Sequence, residues 1–153
     1  MRIKWFSLIR ITGLLLVLLY HFFQTIFPGG FFGVDVFFTF SGFLITALLI
    51  EEFSKKHEID LIGFFRRRFY RIVPPVVLMV LVTMPFTFLV RQDYVAGIGG
   101  QIAGVLGFMT NFYEILTGGS YESQFIPHLF VHNWSLAVEV HYYILWGLAV
   151  WFL

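Results

Sequence analysis

Long apolar runs separated by short polar or glycine- and proline-bearing links are the first pattern in the chain. Five stretches, residues 9–27, 31–50, 72–90, 94–112 and 134–153, reach or approach the roughly 20 residues a helix needs to cross a bilayer. The pattern predicts an all-α, polytopic transmembrane helix bundle of about five membrane segments. Pro28-Gly29-Gly30 has room only for a turn, so the first two helices are predicted to form an antiparallel hairpin. Pro74 and Pro75 fall in the opening turn of the third predicted helix, where proline is tolerated, and Pro85 inside it is predicted to kink it. The fourth stretch carries Gly97, Gly99, Gly100, Gly104 and Gly107, which suits either close helix packing or a re-entrant segment.

Charge then orients the segments. Arg2, Lys4 and Arg10 precede or open the first stretch, and Lys55, Lys56, Arg66, Arg67, Arg68 and Arg71 lie between the second and third. With the N-terminus cytoplasmic, nine of the ten basic residues fall on the cytoplasmic side and Arg91 alone falls outside. The expected location is the cell (plasma) membrane, with multiple passes. If the fourth stretch spans, the loop at residues 113–133 is cytoplasmic although it holds no lysine or arginine, so spanning and re-entrant readings both stand.

Composition agrees. Of 153 residues, 59% are hydrophobic and only 12% charged, too few to coat a soluble domain of this size. The absence of cysteine removes disulfides, thiolate nucleophiles and cysteine-based metal sites. The opening M-R-I-K-W-F-S-L-I-R is superficially like a signal peptide, but no small-residue cleavage site follows, so the first segment reads as a retained helix. The final apolar run is still open at Leu153, and residues 1–153 read as the N-terminal part of a longer protein.

Arg10 and His21 are the most informative polar residues. Eleven residues is about three helical turns and roughly 16 Å of rise, so both project from nearly one face. Ionisable groups inside a membrane are costly and mark pathways or reaction sites by default. His21, expected close to mid-bilayer, is a candidate general base, and Arg10 at the membrane edge a candidate anion-binding partner. Asp35, expected near the turn after His21, is either an interfacial carboxylate or a group that orients the His21 imidazole.

Between the second and third stretches, L-I-G-F-F-R-R-R-F-Y-R-I-V-P interleaves aromatics with arginines, the pattern of an interfacial amphipathic helix. Arg68 and Arg71, at i and i+3, share a face and can also grip phosphate through forked hydrogen bonds. In N-W-S-L-A-V-E-V-H-Y-Y-I-L-W, Glu139, Tyr142, Tyr143 and Trp146 fall on one helical face, expected to line the interior. Asn133 or Ser135 is expected to cap that helix. His128 and His132 have ligand-like spacing, but the proline-led loop holding them is a poor rigid scaffold, and no metal site is expected.

Four blocks occur in order: R-x10-H at Arg10 and His21, G-V-D-V-F-F-x-x-S-G-F-L-I-T around Asp35, R-x-x-R at Arg68 and Arg71, and W-S-L-A-V-E ending at Glu139. Together they resemble the acyltransferase-3 family of membrane acyltransferases, whose members O-acetylate cell-envelope glycans and other acceptors. The resemblance covers essentially the whole chain but only about the first half of the family's roughly ten-helix membrane domain. It implies that Arg10 and His21 are the leading catalytic pair, that Arg68 and Arg71 bind the acyl donor, and that Asp35 and Glu139 are functional acids of unassigned role. The implied donor is acetyl-coenzyme A, with no permanently bound cofactor. Where the family usually reads E-E-Q-F-Y, this chain has Glu139-Val140-His141-Tyr142-Tyr143, so a role needing two adjacent acids is in doubt. The variant looks similar to the Gram-positive branch that O-acetylates peptidoglycan, often with an SGNH-type domain attached or separate.

The expected function is therefore transfer of an acetyl group from cytoplasmic acetyl-coenzyme A to an extracytoplasmic hydroxyl, most readily on peptidoglycan or another cell-envelope glycan. Expected partners are the lipid bilayer, the donor and the glycan, and nucleic acid is not among them. The rival reading is a transporter or channel fragment that uses the buried arginine, histidine and glutamate as a proton or ion path. A third is an inactive truncation.

Overall fold

The computed structural model describes residues 4–89, 95–118 and 128–152, with side chains from residue 8 onward. Arg2, Arg91, Tyr94 and Leu153, which figure in the sequence argument, lie outside these residues. Every regular element among them is helical, and the chain divides into two compact units, Met1–Ile59 and Asp60–Leu153.

In the first unit, α1 (Lys4–Phe22) is followed by a 3₁₀ segment at Pro28–Phe32 and by α2 (Gly33–Lys56). The predicted hairpin is present, but its register is set by glycine rather than by the turn alone. A Cβ on Gly33 would lie 2.6 Å from the Gly13 carbonyl oxygen and 2.8 Å from Val17 Cγ2, and one on Gly30 would collide with the Leu16 carbonyl oxygen. The link therefore folds back along α1, and α2 starts beside the middle of α1 rather than beyond its end. α2 closes on His57 in the left-handed region, with Lys55–Glu51 and Lys56–Glu52 pairs spaced i, i+4 on its last turns.

In the second unit, Asp60 caps α3 (Leu61–Thr83) by accepting from the Gly63 N–H at 2.8 Å. The Asp60 carboxylate occupies the space a Cβ at position 63 would need, so the cap requires glycine there. This early start corrects two expectations. The arginine-rich segment is not a separate interfacial helix but the first half of α3, and Pro74 and Pro75 lie inside the helix rather than in its opening turn. Asp60 supplies a strong start signal three residues before Gly63, and it outweighs the proline signal further on. The predicted kink at Pro85 takes the form of a change of winding, since α3 passes into a 3₁₀ segment at Met84–Leu89.

The fourth stretch does not form one spanning helix. It contains α4 (Ile98–Leu106), and the chain then turns through Phe108, at φ 54°, into α5 (Thr110–Thr117). Nine residues rise about 13.5 Å, under half of a roughly 30 Å hydrocarbon core. The far end of α4 reaches Ile72 and Val73 of α3 through Leu106 and Phe108, while Ile98 at its start and Met84 both pack against the buried cluster of Val76, Val80 and Val105. α5 then returns, because the Tyr113 hydroxyl donates to the Gly97 carbonyl at the start of α4 (3.3 Å). The two helices form a short hairpin, the folded-back form that the glycine content allowed.

A 3₁₀ turn, Val131–Asn133, leads into α6 (Trp134–Phe152). Asn133 and Ser135 do not cap α6 as expected: their side chains donate to the Phe130 and His132 carbonyls of the preceding turn. α6 runs antiparallel to α3. Leu136 packs with the buried cluster of Val76, Val80, Val105 and Phe130, whereas Gly147 lies against Phe64, Phe65 and Leu61. Three stretches, Pro28–Lys56, Leu61–Leu89 and Val131–Phe152, are long and apolar enough to cross a membrane, and Leu8–Phe22 is a shorter apolar helix. The chain is a membrane protein.

Candidate active site

The candidate residues fall into one group per unit. In the first, Arg10 is half-buried on α1, and His21 lies in the last turn of that helix because α1 stops at Phe22. His21 stands eleven residues, about 16 Å, along α1 from Arg10. Nδ1 of His21 donates to the Val17 carbonyl at 2.8 Å, and the ring meets Tyr20 edge-on at 5.6 Å.

Asp35 does not orient His21. It is exposed and, among the described residues, makes no hydrogen bond or ion pair. The cause is the register set by Gly30 and Gly33. Asp35 starts α2 near the level of Gly13, and His21 is eight residues, about 12 Å, further along α1.

In the second unit, two of the sequence blocks meet. The Arg68 guanidinium lies 5.5 Å from the ring centroids of both Phe64 and Tyr143, and the Tyr143 hydroxyl donates to the Glu139 carboxylate. A cation between two aromatic faces is attracted by each ring quadrupole. The chain of contacts Phe64–Arg68–Tyr143–Glu139 joins R-x-x-R of α3 to the acid of α6. Tyr143 is buried, and Tyr142 stacks instead on Trp146 at 5.9 Å.

A cavity of about 720 Å³ opens beside this array, walled by α3, the tip of the α4–α5 hairpin and α6. Its lining is apolar apart from Arg66, Arg68 and Tyr143. Arg68 lines the cavity, and Arg71, one turn further along α3, is exposed and outside its lining. Such a space, cationic on one wall and apolar on the others, is within the usual size of small-molecule sites.

Glu114 and His128 were not paired by the sequence reading. Glu114 Oε2 and His128 Nδ1 are 2.8 Å apart, with side chains only 8% and 18% exposed. The signal was available: an acid and a histidine lie in an apolar stretch without lysine or arginine, so each needs the other. His132 points elsewhere, and among the described residues no three metal-ligating side chains converge. Gln101, likewise overlooked, is buried with its amide donating to Ala96 and its oxygen accepting from the Phe130 N–H, which ties α4 to the segment before α6.

The acyltransferase domain model of the acyltransferase-3 family matches residues 3–153. O-acetyltransferase OatA of Staphylococcus aureus, from strains NCTC 8325 and COL, is 33% identical over 145 residues, 95% of this chain and 24% of that protein. A second, provisionally named O-acetyltransferase of strain COL is 34% identical over 136 residues, 89% of this chain and 22% of that protein. The chain thus spans about a quarter of the length of these curated relatives. No solved structure matches it.

Proposed function

Since this chain belongs to the acyltransferase-3 family, we propose that it is part of a membrane O-acetyltransferase that moves an acetyl group from cytoplasmic acetyl-coenzyme A to an extracytoplasmic hydroxyl of peptidoglycan or a related envelope glycan. The observation that carries this reading is the Arg68–Tyr143–Glu139 array beside an apolar cavity. Coenzyme A is polyanionic at one end and slender and weakly polar at the other, and a guanidinium on an apolar wall suits both halves. The staphylococcal relatives are O-acetyltransferases by name, which fits the same chemistry.

The orientation follows from charge. A cytoplasmic N-terminus puts the arginine half of α3 inside and the Met84–Leu89 end outside, with His21 toward the outer face. Arg68, held flat between Phe64 and Tyr143, takes the donor's phosphate. His21 accepts the acceptor's hydroxyl proton or carries the acetyl group, and Arg10, about 16 Å away on the same helical face, binds an anionic group of the donor at the cytoplasmic mouth.

Two measurements test this reading. In the full-length protein, Arg68→Lys keeps the charge but loses the guanidinium set between two rings, a change of about 0.5–2 kcal/mol that raises the donor KM roughly 2- to 30-fold. Arg71→Lys should leave it near wild type, and equal behaviour of the two variants would remove Arg68 from the donor site. Single cysteines, absent from the native chain, should label with an impermeant reagent from outside intact cells at position 29 but not at position 67. Outside labelling at 67 would invert the topology.

A further inference from the structure

The Glu114–His128 pair belongs to none of the four sequence blocks and has no part in the mechanism above. A carboxylate only accepts hydrogen bonds, so the 2.8 Å contact puts the hydrogen of a neutral imidazole on Nδ1 and leaves Nε2 with its lone pair. Glu114 is buried and water competes little for it. The Tyr113 ring, 5.6 Å from that of His128 and tilted by 50°, braces the imidazole from the side. Among the described residues Nε2 meets no hydrogen-bond partner, and about a fifth of the side chain is open.

Its place in the unit matters as much as its chemistry. Tyr113, the neighbour of Glu114, lies along α4 with its Cβ beside Gly104 and its hydroxyl on the Gly97 carbonyl, and neither Glu114 nor His128 lines the cavity that holds Arg66 and Arg68. One turn earlier on the same face of α5, the buried Thr110 hydroxyl has no partner among the described residues.

We infer that Glu114 and His128 form the docking site for the acceptor alcohol, a carbohydrate hydroxyl whose O–H is donated to His128 Nε2 while Glu114 holds the imidazole in the accepting tautomer. The inference rests on the function and orientation proposed above. The hydroxyl bound by the pair is a neighbour, on the same sugar, of the one acetylated, so the pair positions the acceptor. Proton and acetyl transfer take place elsewhere.

Two substitutions separate this role from simple pinning of the hairpin. His128→Asn places an amide nitrogen near the position of Nδ1, keeping the bond to Glu114 while deleting Nε2. His128→Gln places amide atoms near Nε2 but gives up the bond to Glu114. The full-length protein in detergent is given labelled acetyl-coenzyme A and a soluble N-acetylhexosamine tetrasaccharide, and tetrasaccharide binding is measured separately by calorimetry. Loss of one net hydrogen bond corresponds to about a tenfold change. His128→Asn should weaken tetrasaccharide binding and raise its KM about tenfold, with donor KM and protein amount unchanged, and His128→Gln should recover part of the loss. Wild-type acceptor binding by His128→Asn overturns the inference, as does loss of folded protein in both variants, which would make the pair a structural pin. If the wild-type protein binds the tetrasaccharide without acetylating it, the transferase reading fails while the hydroxyl site stands.

Discussion

Replacing His21 with glutamine in the full-length protein is expected to reduce glycan O-acetate to background. Glutamine keeps a similar length and a hydrogen-bond donor for the Val17 carbonyl, which is the one backbone contact His21 makes through Nδ1. It cannot exchange a proton near neutral pH. General acid–base groups commonly contribute about 10²- to 10⁴-fold in rate, so base-releasable acetate should fall by at least that lower factor at matched protein level. The position of His21 at the end of α1 sharpens the test, because an imidazole there is not needed to fill a packed core. Near-normal acetate with equal expression would make His21 structural and move the search to Glu139.

Gly30→Ala should be the most damaging small substitution in the first unit. The new methyl collides with the Leu16 carbonyl oxygen and stands 2.8 Å from Tyr20 Cβ, and backbone cannot swing aside as a flexible side chain can. Overpacking of this kind costs about 1–3 kcal/mol, which should lower the apparent melting temperature and the yield of monodisperse protein. Gly29→Ala is the internal control, since nothing lies within 4 Å of its added Cβ. Equal stability of the two variants would mean that α1 and the 3₁₀ segment do not approach closely.

Much of the fold was legible because membrane crossing imposes a length. The runs around α1, α2, α3 and α6 needed only counting and charge placement. The start of α3 was misread because Pro74 and Pro75 were given more weight than the Asp60 cap, whose effect depends on the glycine at 63 leaving room for the carboxylate. The fourth stretch was ambiguous for a physical reason: a hairpin buried by neighbours and a spanning helix bury the same residue types. Among site residues, Arg68 and Glu139 were found as separate motifs, and Tyr143, which joins them, was assigned only to the face. The Asp35–His21 pairing failed because register between two helices is decided by glycine contacts that spacing along one helix does not reveal. Glu114 was missed because its partner lies fourteen residues away, at no helical spacing.

The α4–α5 hairpin also changes how the second unit is oriented. α3 and α6 run antiparallel, and among the described residues between them stand the short helices α4 and α5. That stretch carries no lysine or arginine from residue 95 to residue 133, so the charge asymmetry that fixes α2 and α3 exerts no pull on it. Its depth is a matter of reach: α4 is too short to get across, and the turn at Phe108 sends the chain back. A basic residue engineered into the loop would thus meet no opposing topological signal, whereas lengthening α4 by two turns would let it compete for the far side and reverse α6.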